Sequence, residues 1–373
     1  ELETGGAEQT TLDVAKAVMA AGGRAIVATH GGRMTKTLLQ SGGEVESLNV
    51  QTKNPVTILA NAFALAGIIR RCKVDVIHAR SRAPAISAYL AARLTGVPFV
   101  ATYHGVYNAR SPLKRWYNSV MTRGALTIAN SDYTRERVIA THKLAPEKVI
   151  SIPRGVDLGR FDPANVSPER VAALRQAWGL SQDDKRLSVL LAGRLTRWKG
   201  QKLLIEALAA LKASGQDQIV LIMAGDAQGR DTYKSELLAL SAALGLEERV
   251  RLVGHCEDMP AAYLACDAAA APSLEPEAFG RTAVEPQIMG RPVLAADHGA
   301  ATETVLEGIT GFRLDPGNVQ AWAQGLARLI ALGPIGRSDM GKAGHERAVR
   351  LYSANAMTAA TLGVYAKLLK AEQ

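Results

Sequence analysis

The feature that most limits the fold of this chain is a repeated alternation between short apolar runs and longer segments with helical spacing. After Arg186 the runs Leu187–Leu191, Ile219–Ala224, Val250–Val253, Ala268–Pro272, Pro292–Ala296 and Gly311–Leu314 recur, with helix-patterned sequence between most of them. Strands joined through helices pair in parallel, and continuous apolar runs mean that both sheet faces are covered. The first half repeats the rhythm at Ala25–Ala28, Val74–His78, Val97–Thr102, Leu126–Ala129 and Val149–Ile152. Two Rossmann-like α/β domains are expected, over residues 1–163 and 164–352, because Asp162-Pro163 and Ser167-Pro168 break both periodicities. A chain of 373 residues is long enough for each domain to bury its own core.

The most informative motif is Pro276-Glu277-Ala278-Phe279-Gly280-Arg281-Thr282-Ala283-Val284-Glu285. If Phe279 opens a helix, Glu277 lies in the loop before it and Glu285 nearly two turns along it, so the carboxylates reach different parts of one ligand. A sugar nucleotide matches that spacing: hexose and ribose both offer hydroxyls to a carboxylate, and the diphosphate between them suits a helix N-terminus and cations. Upstream, Ala192-Gly193-Arg194-Leu195-Thr196-Arg197-Trp198-Lys199-Gly200 joins a strand to a helix patterned at Leu203, Leu204, Ala207, Leu208 and Leu211. Cations there face the ligand crevice of an open α/β sheet, and Arg194 and Lys199 can bracket a diphosphate; Arg197 reads as an ordinary solvated charge.

With Gly5-Gly6-Ala7-Glu8, His104-Gly105, Ala129-Asn130-Ser131, Ile152-Pro153-Arg154-Gly155-Val156-Asp157, Ala224-Gly225-Asp226 and Gly290-Arg291-Pro292-Val293, these motifs span nearly the whole chain. In that order they resemble the family 4 retaining glycosyltransferases. The resemblance implies the GT-B fold, two Rossmann-like domains with a deep interdomain cleft, and a last helix, 353–373, crossing back to the first domain. It makes Gly193, Arg194, Lys199, Glu277 and Glu285 the donor site, with Glu277 on the sugar and Glu285 on the ribose diol. Backbone amides of Phe279, Gly280 and Arg281 would meet phosphate or sugar oxygens, and backbone groups of Gly254 and His255 the nucleobase. The Gly5-Gly6 loop would face the β-phosphate and acceptor, and His104 the transferred sugar, with His78 a weaker candidate. His104, Arg194, Lys199 and Glu277 are the expected catalytic residues. Two positions depart from the family pattern: Pro286 stands inside the second motif's helix, and Arg154 replaces an asparagine common in its turn.

No Asp-any-Asp triplet occurs and no His or Cys cluster has metal-like spacing, so catalysis without a divalent ion or other cofactor is expected, with the cations stabilising the departing diphosphate. Cys72, Cys256 and Cys266 read as idle thiols of a reducing compartment. The longest apolar stretch, Ile58–Ile69, contains Asn61 and is too short to span a bilayer, so neither a spanning helix nor a signal peptide is expected. Only Glu1 to Thr4 precede Gly5 where the family carries a strand, so an upstream segment is expected to be missing.

The charge is lopsided: residues 1–155 hold 20 Lys and Arg against 10 Asp and Glu, whereas 156–373 hold 24 against 25. The segment Arg110 to Arg123 combines Lys114 and Arg115 with a helical stripe of Leu113, Trp116, Tyr117 and Val120. A core-facing stripe is favoured over an interfacial one, while the charge asymmetry supports contact with anionic membrane.

The resulting expectation is a cytoplasmic hexosyltransferase, associated with the inner face of the cell membrane, that retains anomeric configuration. It would move a hexose from a UDP- or GDP-linked donor to a glycan or glycolipid such as lipopolysaccharide, and would not bind nucleic acid. The rivals are a GT-B sugar-nucleotide epimerase and a non-catalytic sugar-nucleotide-binding module. A nicotinamide dehydrogenase is disfavoured because its glycine fingerprint is missing from any fitting place.

Overall fold

The computed structural model describes residues 2, 6–107, 111–181, 184–229 and 231–370. The chain divides into two compact units, 1–155 with 353–373, and 156–352.

Unit 1 contains the helices α1 (Gly6–Ala20), α2 (Thr35–Gln40), α3 (Pro55–Cys72), α4 (Arg82–Thr95), α5 (Pro112–Ser119) and α6 (Asp132–His142). Its strands are β1 (Ile26–Thr29), β2 (Glu44–Ser47), β3 (Ile77–Ala79), β4 (Phe99–Tyr103), β5 (Leu126–Ala129) and β6 (Val149–Ser151). They form two parallel sheets, β1-β2 and β3-β4-β5-β6. Proline-led starts set several helices: Asn54 caps the Val56 and Thr57 amides before α3, and Ser111 caps Lys114 N before α5. The four-stranded sheet buries Phe99, Ala101 and Tyr103 on one face, with α4. Val100, Leu126 and Ile128 pack on the other against Val14 of α1 and Met357, Val364 and Leu368 of the closing helix Ala354–Lys370.

In unit 2 the strands β7 (Leu187–Ala192), β8 (Ile219–Ala224), β9 (Val250–Gly254), β10 (Ala268–Ala271), β11 (Val293–Ala296) and β12 (Gly311–Leu314) make one parallel sheet in the order β12-β11-β10-β7-β8-β9. The helices are α7 (Pro168–Ala177), α8 (Gln201–Ala213), α9 (Asp231–Ala243), α10 (Met259–Ala265), α11 (Arg281–Ile288), α12 (Ala301–Thr304), α13 (Val319–Ala331) and α14 (Gly333–Tyr352). Every residue of β7 and β8 is buried. Period-two alternation sends Leu187, Val189 and Leu191 to a core with Leu204, Leu208, Trp322 and Leu326, and Leu190 and Ala192 to one with Tyr263, Val284 and Ile288.

The strand expectations match within a few residues, except that β2 had no counterpart among them. Its sequence, Glu44-Val45-Glu46-Ser47, is that of a polar edge strand. The division between units falls at Gly155 and Val156, before the expected 163/164 boundary, because Val156, Phe161 and Val166 pack into the unit 2 core with Trp178 and Leu180. The apolar run Ile58–Ile69 extends into the 18-residue α3, which is long and apolar enough to cross a membrane by length and composition. It buries Asn61, whose amide donates to Asn49 O, and lies on α4.

Trp322 is fully buried and donates its indole N–H to Asp315 O at 3.2 Å. Trp322→Ala removes this anchor and leaves a cavity, so it is expected to destabilise unit 2 by about 3–5 kcal/mol in urea unfolding.

Candidate active site

Unit 2 places its two motif loops side by side. The chain steps outward from β7 through β8 and β9 on one side and from β10 through β11 and β12 on the other, so the loops after β7 and β10 flank the point where strand order reverses. Trp198 O accepts from Leu274 N at 2.7 Å, which stitches the loops together. Lys199 Nζ donates to Glu277 Oε1 at 2.7 Å and lies 4.4 Å from the Trp198 ring centroid, and Ser273 Oγ donates to the same carboxylate oxygen. The Glu277 backbone is fixed as well, its carbonyl accepting from Ala300 N at 2.9 Å. Gly193 lies against the Lys199 methylenes, and a side chain on Gly225 would strike Gly193 O at 1.8 Å, so the glycine at the β8 end lets the β7 loop settle.

The Glu285 carboxylate is almost wholly buried on α11. Arg281 Nε and Nη2 grip its Oε1 at 2.7 and 2.6 Å, while Tyr263 OH donates to Oε2 at 3.1 Å. Burial, then the neighbouring Glu285, pushes the Tyr263 phenol well above its usual range, which keeps it a neutral donor. Glu285 and Arg281 line an open pocket with His255, Cys256, Phe161 and Met259. Gly254 closes β9, its carbonyl accepting from Gly225 N at 2.7 Å.

The helix starts at Arg281 rather than Phe279. Gly280 takes a left-handed φ of 74° as its N-cap, and Phe279 turns inward, edge-to-face on Tyr352 at 5.7 Å between centroids. Pro286 lies inside α11, where it withholds the amide that would close a turn on Thr282 O.

In unit 1, His104 follows β4. Its Nδ1 lies 3.3 Å from Arg154 Nη2. A guanidinium only donates, so Nδ1 accepts and the ring proton is assigned to Nε2, which is shielded from solvent and has no hydrogen-bond partner among the described residues. Burial first, then the charges of Arg80 and Arg154 and the nearby His78, hold this imidazole well below its ordinary range, so it is neutral. His78 is fully engaged, with Nδ1 2.6 Å from Tyr365 OH and Nε2 2.7 Å from Thr102 Oγ1, which makes it a strut rather than a ligand contact. Gly6 opens α1 beside Arg154, whose Nη1 would lie 2.7 Å from an added side chain; Gly5 lies outside the described residues.

Residues 4–160 match the model described as Glycosyltransferase Family 4, and residues 174–347 that of Glycosyl transferases group 1. A D-inositol 3-phosphate glycosyltransferase from Xylanimonas cellulosilytica is 31% identical over 311 residues, 79% of this chain and 72% of that protein. This chain is a family 4 glycosyltransferase. The crystal structure of a glycosyltransferase from Rickettsia africae superposes with a TM-score of 0.90 at 34% identity, covering 98% of this chain and 96% of that one. Anabaena HepE in complex with UDP gives 0.83 at 28% identity, over 97% and 96%. The fold is GT-B. Against other curated relatives the match covers less of their length, such as 60% of a Mycobacterium D-inositol 3-phosphate glycosyltransferase.

Of the residues expected to form the glycosyltransferase site, the structure joins Lys199 with Glu277 and Gly193, and Glu285 with Arg281 and His255. The Arg194 side chain is exposed and enters no ion pair among the described residues, although Gln201 Nε2 holds its carbonyl at 2.9 Å. Ser273 and Tyr263, which orient the two glutamates, and Phe161 and Met259 in the pocket were not anticipated. They are ordinary core or loop residue types, and only their partners mark them.

Burial keeps His78 and His104 neutral in the fold, whereas the unfolded chain protonates both near the ordinary value of 6.5. Below that value the unfolded state binds more protons, so this stability is whole above about pH 6.5 and is lost as the pH falls. Thermal unfolding is expected to show a Tm declining from about pH 7 to about pH 5, and a His78→Gln, His104→Gln double variant to show a flatter decline.

Proposed function

We propose that this glycosyltransferase moves a hexose from a nucleotide sugar to a glycan or glycolipid acceptor, retaining anomeric configuration and needing no divalent ion. The observation that carries this reading is the pairing of Lys199 with Glu277 at the strand-order reversal, with the Glu285 pocket on the helix that follows. In this reading Glu277 takes sugar hydroxyls and Glu285 the ribose diol, with His255, Phe161 and Met259 around the base. Anabaena HepE, solved with UDP and with UDP-glucose, supports a uridine donor.

The bond from the anomeric carbon to the diphosphate oxygen breaks with its electron pair passing to that oxygen. Lys199 and Arg194 stabilise the charge that grows there, more in the transition state than before it. The acceptor hydroxyl then adds to the face the diphosphate leaves, its proton passing to a phosphate oxygen, which gives retention without a covalent enzyme intermediate. His104, neutral and with Nε2–H free to donate, binds a hydroxyl of the transferred sugar rather than acting as an acid.

UDP is expected to raise the Tm more than GDP does. Glu277→Gln should keep the UDP-induced rise yet lower kcat/KM about 100-fold or more, with wild-type turnover unaffected by EDTA. Wild-type rates in the variant, or loss of turnover on chelation, would reject the corresponding part of the reading.

The acceptor is proposed to be an envelope glycolipid, lipopolysaccharide being one such molecule, met at the inner face of the membrane. The favoured sequence reading placed the stripe of Leu113, Trp116, Tyr117 and Val120 in the core; Val120 is buried there, but Leu113 is 74% exposed and Trp116 61% exposed, beside exposed Lys114 and Arg115. Apolar tips next to cations, on a unit with a twofold excess of basic over acidic residues, suit an anionic interface. Flotation with anionic liposomes is expected at low salt and to fall in a Leu113→Ser, Trp116→Ser double variant; no association at any salt would remove the membrane from the proposal.

A further inference from the structure

His104 is held by two handles that come from different parts of unit 1. β4 and β5 pair in register from Val100 with Leu126 to Tyr103 with Ala129, which brings Asn130 up beside the residue that follows β4. The Asn130 backbone amide donates to Tyr103 O at 3.2 Å and its side-chain amide to His104 O at 3.2 Å, so the His104 main chain is fixed from β5. The ring is met from elsewhere. Arg154, in the turn after β6, brings Nη2 to 3.3 Å from His104 Nδ1 across 50 positions of sequence.

The position of Arg154 also accounts for a glycine. A side chain on Gly6, at the start of α1, would put its Cβ 2.7 Å from Arg154 Nη1 and 3.3 Å from Cζ, so the guanidinium lies where only glycine leaves room. A helix N-terminus carries partial positive charge, and a cation beside it is disfavoured. The contact with His104 Nδ1 offsets that. An imidazole can carry its proton on either nitrogen, and the partner of one nitrogen decides which state the other takes. A guanidinium has donors only, so its approach to Nδ1 assigns the proton to Nε2 and sets the plane of the ring.

We propose that Arg154 is the positioning residue of His104: it holds the imidazole in one orientation with the proton on Nε2, so that the ring offers the transferred sugar a donor and not a base. Gly6 is the small residue that lets it do so. The inference rests on the His104 role in the transferase reading above and assigns what sets that role. It also gives a task to Arg154, which replaces the asparagine common in its turn. The other charged or titratable side chains that act on His104 are Arg80 and His78, and both act through charge alone. His78 has its two nitrogens engaged by Tyr365 and Thr102, so neither residue orients the ring.

The test uses the full chain, with turnover read as nucleoside diphosphate released from UDP- and GDP-hexoses, water serving as acceptor. Arg154→Met should lower kcat about 10- to 100-fold with little change in donor KM, and Arg154→Lys, which keeps the charge without the planar fork, should recover only part. In a His104→Gln background Arg154→Met should add nothing further, because its effect passes through the imidazole. With histidine labelled at the ring nitrogens and read by NMR, the Nδ1 resonance that is missing from His104→Gln should shift in Arg154→Met as its hydrogen bond is lost. Gly6→Ala, which keeps Arg154 in the chain, should move the same resonance and lower kcat. The nucleotide that raises the Tm, UDP or GDP, should do so equally in wild type and Arg154→Met. Additive losses in the double variant overturn the proposal, as does an Nδ1 resonance untouched by Arg154→Met. A weakened nucleotide response in Arg154→Met would make Arg154 a donor contact and overturn it too. Wild-type turnover in His104→Gln would reject the His104 role and the inference with it. No release from any hexose donor by wild type would instead reject the transferase reading, and the Nδ1 resonance then decides by itself whether Arg154 holds the ring.

Discussion

The ion pair of Lys199 with Glu277 is the contact on which the donor half of this molecule depends. Both side chains are largely withdrawn from solvent. Ser273 adds a second donor to the Glu277 oxygen that Lys199 holds, and the Trp198 face lies against the ammonium, so the pair is supported from both ends. Its geometry follows from sheet topology. β7 and β10 are adjacent parallel strands although β8, β9 and their helices intervene in sequence, so both outgoing loops emerge on one edge and the Trp198 to Leu274 hydrogen bond fixes their separation. Without that adjacency the cation and the carboxylate would be two unrelated surface charges.

The two units manage charge in opposite ways. In unit 2 each functional carboxylate is met by a cation and by a neutral donor: Lys199 and Ser273 on Glu277, Arg281 and Tyr263 on Glu285. Unit 1 brings Arg80 and Arg154 to a pair of imidazoles kept neutral by burial and by those same cations. A site that balances its own charge positions a ligand by exchange of hydrogen bonds.

Much of the fold was legible because a parallel sheet covered on both faces writes long apolar runs into the chain, as in Leu187–Ala192 and Ile219–Ala224. What escaped lay where that signal fades. The strand Glu44–Ser47 is an edge with polar alternation. Phe161 looked like part of a linker because prolines surround it, yet it belongs to a core that the chain reaches only after folding. The stripe of Leu113, Trp116, Tyr117 and Val120 has the spacing of a buried face, but spacing cannot say how much of it is packed: Val120 reaches the core, while Leu113 and Trp116 stay exposed.

The sequence by itself determined the fold class, the loop that carries Lys199 and the helix that carries Glu285, since these depend on local periodicity and on motifs of fixed spacing. Tertiary structure alone decided which charges meet. Lys199 and Glu277 are 78 positions apart, and Arg80 has neighbours from α1, β4, β5 and the closing helix. Whether a side chain ends paired, exposed or stranded without a partner depends on what long-range packing brings within about 3 Å of it, and no local pattern records that distance.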